Sequence, residues 1–272
     1  MNATSEVGCF KKDMNLKQKL DYHYNAFNKS QISPDPLQFL HLYKNENDIE
    51  LIGFIASIFA YGNVRQIINT LERISTILGK EPYNYILNFS EEEYENLEGL
   101  KHRFYTQEDI INLFIVLRDI YSSFGSLKYL FFTFYNPEEY NLKNAISNFS
   151  EHLVSEIKKQ TNSINVTRGI KFMFPIPEKG SACKRMNLFL RWMVRKDELD
   201  FGLWSEIPTS KLVIPVDTHI AKICKYLKLT RRKNVCWKMA EEITNNLKRF
   251  DPIDPVKYDF ALCHIGMRKL KF

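Results

Sequence analysis

The chain has 272 residues, 44% of them hydrophobic, including 20 Phe and 14 Tyr. That is enough apolar mass to bury a core as one large domain or two intimate lobes, and it excludes a disordered segment. A net charge of +6 permits an acidic partner such as nucleic acid without demanding one.

Five scattered cysteines, at 9, 183, 224, 236 and 263, are odd in number and form no C-x-x-C pair, so neither a metal site nor a disulfide framework is expected. No apolar leader follows Met1 and no run of about 18 apolar residues occurs, so the expectation is a cytoplasmic protein with no membrane role and no cofactor.

Residues 1–13 are expected to be frayed. Leu16, Leu20, Tyr24 and Phe27 share one face of a first helix, which the Ser33-Pro34-Asp35-Pro36 turn ends. A short helix over 37–44 completes an N-terminal helical extension, 1–47, ahead of a main domain, 48–272. Asp48 is expected to cap a strongly apolar helix carrying Leu51, Ile52, Ile55, Ile58 and Phe59. Tyr61-Gly62-Asn63 breaks it, and a second helix runs from Val64 to about Leu78, closed by Gly79.

Pro82–Asn88 reads as a short helix and Glu91–Glu98 as a solvated acidic run. Thr106 with Asp109 forms a capping box for a helix that ends at Phe124-Gly125-Ser126. Leu127, Leu130, Phe131 and Phe134 belong to the core. Pro137 is expected to start a helix reaching about Lys159, and 160–168 is a loop. His102, Arg103 and Phe104 carry no chemistry that the sequence reveals; the histidine reads as a core or loop residue. No strand pattern and no internal repeat is present, so the fold class is all-α.

The chemistry concentrates between Pro175 and Leu227. Gly180 supplies a turn and Ser181 an N-cap, and Cys183, Met186, Leu190 and Met193 then carry a helix to about Arg195. Lys184 falls in its first turn, where the positive helix end is expected to push an ammonium pKa down. Lys196–Lys211 lies between this helix and the next. Pro215-Val216 is extended, and Asp217 caps the next helix through Ile220, Ile223, Cys224 and Leu227. Taken singly, Lys184 is an ordinary solvated lysine and Asp217 an ordinary cap worth roughly 1 kcal/mol. Together they are a nucleophile and a charge-stabilising carboxylate on neighbouring helix ends. Downstream, Arg231–Lys233 is the densest basic run, and Val235–Leu247 is a helix. Asp254 is expected to cap a last helix over 255–267, started by Pro255.

Gly180-Ser181 and Lys184 opening one helix, followed by Pro215-Val216-Asp217-Thr218-His219 opening the next, resemble the helix-hairpin-helix DNA glycosylases. That superfamily includes endonuclease III and the 8-oxoguanine glycosylases. The separation of Lys184 and Asp217 exceeds that in endonuclease III and is closer to the archaeal 8-oxoguanine glycosylases. Only Gly180 remains of the hairpin glycines, and the four-cysteine cluster of endonuclease III relatives is absent. Ala182–Arg195 and Asp254–Cys263 further resemble a bacterial family, the DUF2400 proteins, placed in the same superfamily.

The resemblance implies a helix-hairpin-helix glycosylase-like bundle with two helical lobes, acting as a monomer on duplex DNA that carries a damaged base or an abasic site. It implies Lys184 as Schiff-base nucleophile and Asp217 as its assistant. Lys179, Gly180, Ser181 and Arg185 would bind DNA, with further charge from Arg191 and Arg195. Tyr61 and Asn63 match the positions that fill the space of an extruded base. Two other readings stay open: a non-catalytic nucleic-acid binder on the same scaffold, in which Lys184 contacts a phosphate, and a helical protein-interaction module.

Overall fold

The computed structural model describes residues 15–26 and 29–268, with the side chains of the last helix described as far as Cys263. The frayed segment expected at 1–13, Phe27 and the Ile265 side chain lie outside them. Among the described residues the chain is all-α, with no strand and only the isolated bridges His102–Tyr105 and Lys196–Phe201. None of the described helices is long and apolar enough to cross a membrane.

Two helices form the centre: α2 (Glu46–Phe59), buried from Asp48 onward, and α9 (Lys184–Val194), buried from Arg185 onward. A helix that is apolar all round has no face for water, and α2 is enclosed by α9, the 3₁₀ segment Pro36–Leu42, α3 (Val64–Leu78) and α4 (Pro82–Leu87). From there α5 (Gln107–Phe124), α6 (Leu127–Phe132) and α7 (Lys143–Gln160) pack on one another, and α8 (Arg168–Met173) leads back towards α9. A second group joins both chain ends: α10 (Thr218–Tyr226) packs on α12 (Asp259–Arg268), and α12 on α1 (Leu16–Ala26). In the same group α11 (Trp237–Lys248) packs on the 3₁₀ turn Pro255–Tyr258, and the Tyr258 hydroxyl donates to Asp21 at 2.7 Å.

Buried polar groups fix this arrangement. The Glu50 carboxylate on α2 accepts from Trp204 Nε1 (2.9 Å), Tyr121 Oη (3.1 Å), Leu127 N (2.8 Å) and Lys128 N (3.2 Å). It therefore ties α2 to α5, to the start of α6 and to the connection after α9, while burial pushes its pKa up. The Lys196–Lys211 segment folds back onto the end of α9: Phe201 N donates to the Trp192 carbonyl (2.9 Å) and Trp204 N to the Met193 carbonyl (2.7 Å).

Several helix boundaries differ from expectation because side chains find other partners. Asn45, not Asp48, caps α2, and Asp48 Oδ1 instead accepts the Tyr83 amide (2.8 Å) at the start of α4. The helix expected from Pro137 begins only at Lys143, because Lys211 Nζ draws the Pro137 and Glu139 carbonyls to itself. Asp254 caps nothing; its carboxylate pairs with Arg195 at 2.9 Å. The Thr106–Asp109 capping box is present as read.

Candidate active site

Lys184 is the first residue of α9 and Asp217 the N-cap of α10, and the fold brings them together: Lys184 Nζ lies 3.0 Å from Asp217 Oδ2 and 3.5 Å from the Ala60 carbonyl at the end of α2. The two carboxylate oxygens have separate partners. Oδ1 accepts the His219 and Ile220 amides at 2.9 and 3.0 Å, satisfying helix-end donors, which leaves Oδ2 for the lysine.

The expected start of α9 is corrected. Ser181 is not its cap; its Oγ accepts the Cys183 amide at 3.2 Å, and Cys183 itself, left-handed at φ 46°, precedes Lys184 without a side-chain cap. The expected direction of the Lys184 pKa is corrected too. Burial acts to lower it, but the adjoining Asp217 carboxylate outweighs burial and holds the ammonium above its ordinary range. Asp217 in turn is held below the usual carboxylate range: burial acts to raise it, and Lys184 with the two amides prevails.

The pair opens onto a cavity of about 430 Å³ between the two helix groups. Tyr61, Gly62, Val64 and Ile67 form one wall, Pro215 with Asp217–Ile220 another, and Asp259, Phe260 and Cys263 of α12 a third. The sequence reading gave Asp259 and Cys263 no role in the site, although both fall in the Asp254–Cys263 segment; they meet it only through the packing of α12 on α10. Asp259 pairs with Arg191 (2.8 Å), which is also held by Asp200 (3.2 Å), and Arg195 is bound by Asp197, Asp200 and Asp254. These two arginines are buried structural cations, not the added DNA contacts that were expected. The cluster holds more carboxylates than guanidiniums, and burial pushes Asp259 up to about 6 despite Arg191.

The remaining expected contacts separate into buried and exposed sets. Arg185 is only 7% exposed, donates to the Phe172 carbonyl and lies over the Phe172 and Tyr61 rings at 4.2 and 5.0 Å. Its charge is directed into the protein, and burial lowers its pKa. Tyr61 reaches the cavity but is pinned: its hydroxyl donates to the His102 carbonyl (3.0 Å) and accepts the Phe104 amide (3.3 Å). Asn63 is exposed and caps α3 through the Arg65 amide (2.9 Å). Lys179 and Gly180 are exposed in the turn between α8 and α9, with Gly180 at φ 90° and its amide bonded to the Pro177 carbonyl (2.9 Å). In the basic run, Arg231–Lys233 is exposed and Arg232 pairs with Glu242 at 2.9 Å.

His102 is buried, as read. Its Nε2 donates to the Tyr61 carbonyl (3.1 Å) and its Nδ1 lies 3.0 Å from Thr70 Oγ1. The turn at 102–105, in which the sequence showed no chemistry, is therefore what holds the Tyr61 loop against the cavity.

A family model described as "Protein of unknown function (DUF2400)" matches residues 35–268 of the chain. No curated protein and no solved structure matches it.

Proposed function

We propose, for a chain that belongs to the DUF2400 family of proteins of unknown function, that the cavity is the catalytic centre of a DNA glycosylase with lyase activity on a helix-hairpin-helix glycosylase-like bundle. The observation that carries the reading is the Lys184–Asp217 pair at 3.0 Å on the floor of a cavity of about 430 Å³. Such a volume falls in the roughly 300–1,000 Å³ range of small-molecule sites. The duplex would deliver one nucleotide into it, at a cost of a few kcal/mol of stacking and pairing.

In this reading the neutral Lys184 amine forms a bond to C1′ of the extruded nucleotide. The C1′–N bond breaks, and its electron pair leaves with the base, which takes up a proton. Cleavage of the C1′–O4′ bond, whose electron pair stays on O4′ with a proton from water, then gives a protonated imine between Lys184 and the opened sugar. Loss of the C2′ proton expels the 3′ phosphate, and water finally hydrolyses the imine. Asp217 Oδ2 stabilises the positive charge that grows on the sugar as the C1′–N bond lengthens. The same contact keeps Lys184 protonated at rest. When a sugar displaces the lysine from Asp217, the largest influence that holds the proton is lost, and burial shifts the balance towards the neutral, nucleophilic amine.

Borohydride trapping tests the proposal. Duplexes carrying 8-oxoguanine, uracil or an abasic site are mixed with the protein and reduced, which makes the imine a permanent covalent link. The expected result is a protein–DNA band that Lys184→Gln abolishes while circular dichroism stays unchanged. A band that survives Lys184→Gln removes Lys184 as nucleophile. The resting ammonium of Lys184 favours a second reading, a non-catalytic binder in which that charge meets a phosphate. Tight, salt-sensitive duplex binding with no band on any substrate would select it.

A further inference from the structure

Beside the cavity, two arginines lie on aromatic faces. Arg103 lines the cavity, with its guanidinium 5.4 Å from the Tyr61 ring centre and 5.7 Å from that of Phe104. Arg168, first residue of α8, lies 4.1 Å from the Phe104 ring centre on the neighbouring side. Both arginines are exposed, and among the described residues neither makes an ion pair.

The backbone is arranged to hold them there. Arg103 sits at φ 52°, a left-handed conformation that a non-glycine residue adopts only where the surroundings enforce it. The closing bonds of its turn run between His102 and Tyr105, at 3.0 Å from His102 N and 2.9 Å from Tyr105 N. Gly62 makes room on one side: a Cβ there would stand 2.8 Å from Arg103 Cδ. Gly169 does so on the other, where a Cβ would stand 2.8 Å from the Phe104 carbonyl. Asp109 then locks α8 to this turn by accepting the Thr106 amide (2.9 Å) and the Thr167 hydroxyl.

We infer that Arg103 and Arg168, held on Tyr61 and Phe104, form a phosphate clamp that grips the nucleic-acid backbone beside the nucleotide entering the cavity. A guanidinium laid on a ring keeps its N–H edge free, and that edge suits two phosphate oxygens at once. An arginine that no carboxylate neutralises also retains its full attraction for a phosphodiester. The aromatic faces pre-order both side chains, so less freedom is lost when the phosphate arrives. The inference rests on the nucleic-acid reading above and adds the residues that hold the strand.

The test is fluorescence anisotropy of a labelled duplex with a tetrahydrofuran abasic analogue, over a series of salt concentrations, alongside borohydride trapping on the true abasic site. Arg168→Gln and Arg103→Gln are each expected to flatten the slope of log affinity against log salt by about 1, with the double variant flatter by about 2. Arg168→Lys, which keeps the charge, is expected to restore most of that slope. The Lys184 trapping band should persist in all of them at saturating protein. Unchanged slopes in folded variants of a wild type that binds and traps would overturn the clamp alone. Arg168 is exposed, so its variant decides the matter even if Arg103→Gln disturbs the turn. A wild type that neither binds nor traps would overturn the nucleic-acid reading and the clamp with it.

Discussion

Replacing Asp217 by asparagine removes a charge while sparing a helix cap, and the two effects have different sizes. The amide oxygen of the substituted side chain can still accept the His219 and Ile220 amides, so the cap, worth roughly 1 kcal/mol, is retained. The ion pair with Lys184 is lost. Both side chains are close to one-third exposed, at 30% and 27%, so the pair contributes on the order of 0–1 kcal/mol of stability. In a chain of this size that lowers Tm by no more than about 4 °C. Asp217→Ala loses the cap as well and should fall roughly 1 kcal/mol further. Catalysis is expected to suffer far more, because a preorganised group facing developing charge carries about 10²–10³ in rate.

The assay is single-turnover excision of a damaged base, measured beside borohydride trapping on a preformed abasic site. Excision by Asp217→Asn should fall by about 100-fold or more, while trapping on the preformed site, where no C1′–N bond has to break, should fall far less. The pH profile gives a second readout. Only the neutral amine attacks, and Asp217 holds the Lys184 pKa up in the resting protein. Wild-type trapping should therefore rise towards alkaline pH, and in Asp217→Asn the rise should shift to lower pH because the largest influence raising the Lys184 pKa is then gone. Excision by the variant within a few-fold of wild type, or a profile that does not move, would refute the assignment.

Other consequences can be measured on the folded protein directly. Glu50→Ala strips the acceptor from three buried donors and the part-buried Lys128 amide at once and should cost about 4 kcal/mol or more in chemical denaturation. Gly169→Ala forces a Cβ against the Asp109 carboxylate and the Phe104 carbonyl and should cost about 1–3 kcal/mol, with a blue-shifted or lost aromatic near-ultraviolet signal from the Phe104–Phe172 cluster. Asp259 is an acid with a raised folded pKa, so the native state binds its proton more tightly than the unfolded chain does. Its contribution should make stability fall as pH rises from about 4, the ordinary carboxylate value, to about 6, and the fall should be absent from Asp259→Asn.

The local features were legible in the order of the residues alone. Helical spacing of apolar residues marked α2, α3, α5 and α9, and Thr106 with Asp109 announced the box that starts α5, because caps and periodicity are set by neighbours in the chain. Residue order also singled out Lys184 and Asp217, since each lies at a helix end that proline, glycine or a short polar side chain signals. What those charges face was set by the packing of one element on another. Arg185, Arg191 and Arg195 read as charges available to DNA, yet each is buried: Asp200 folds back from the segment just after α9, and Asp254, Asp259 and the ring of Phe172 come from other elements. The Lys184 pKa reversed direction for the same reason: the helix end is a local influence, and a carboxylate at 3.0 Å on another helix is stronger. Arg103, silent in sequence, gained its position from Gly62 and the Tyr61 ring, both contributed by another part of the chain, and from the ring of its neighbour Phe104. Electrostatic environment depends on distance in space and on exclusion of water, and neither is encoded in the residues on either side of a charge.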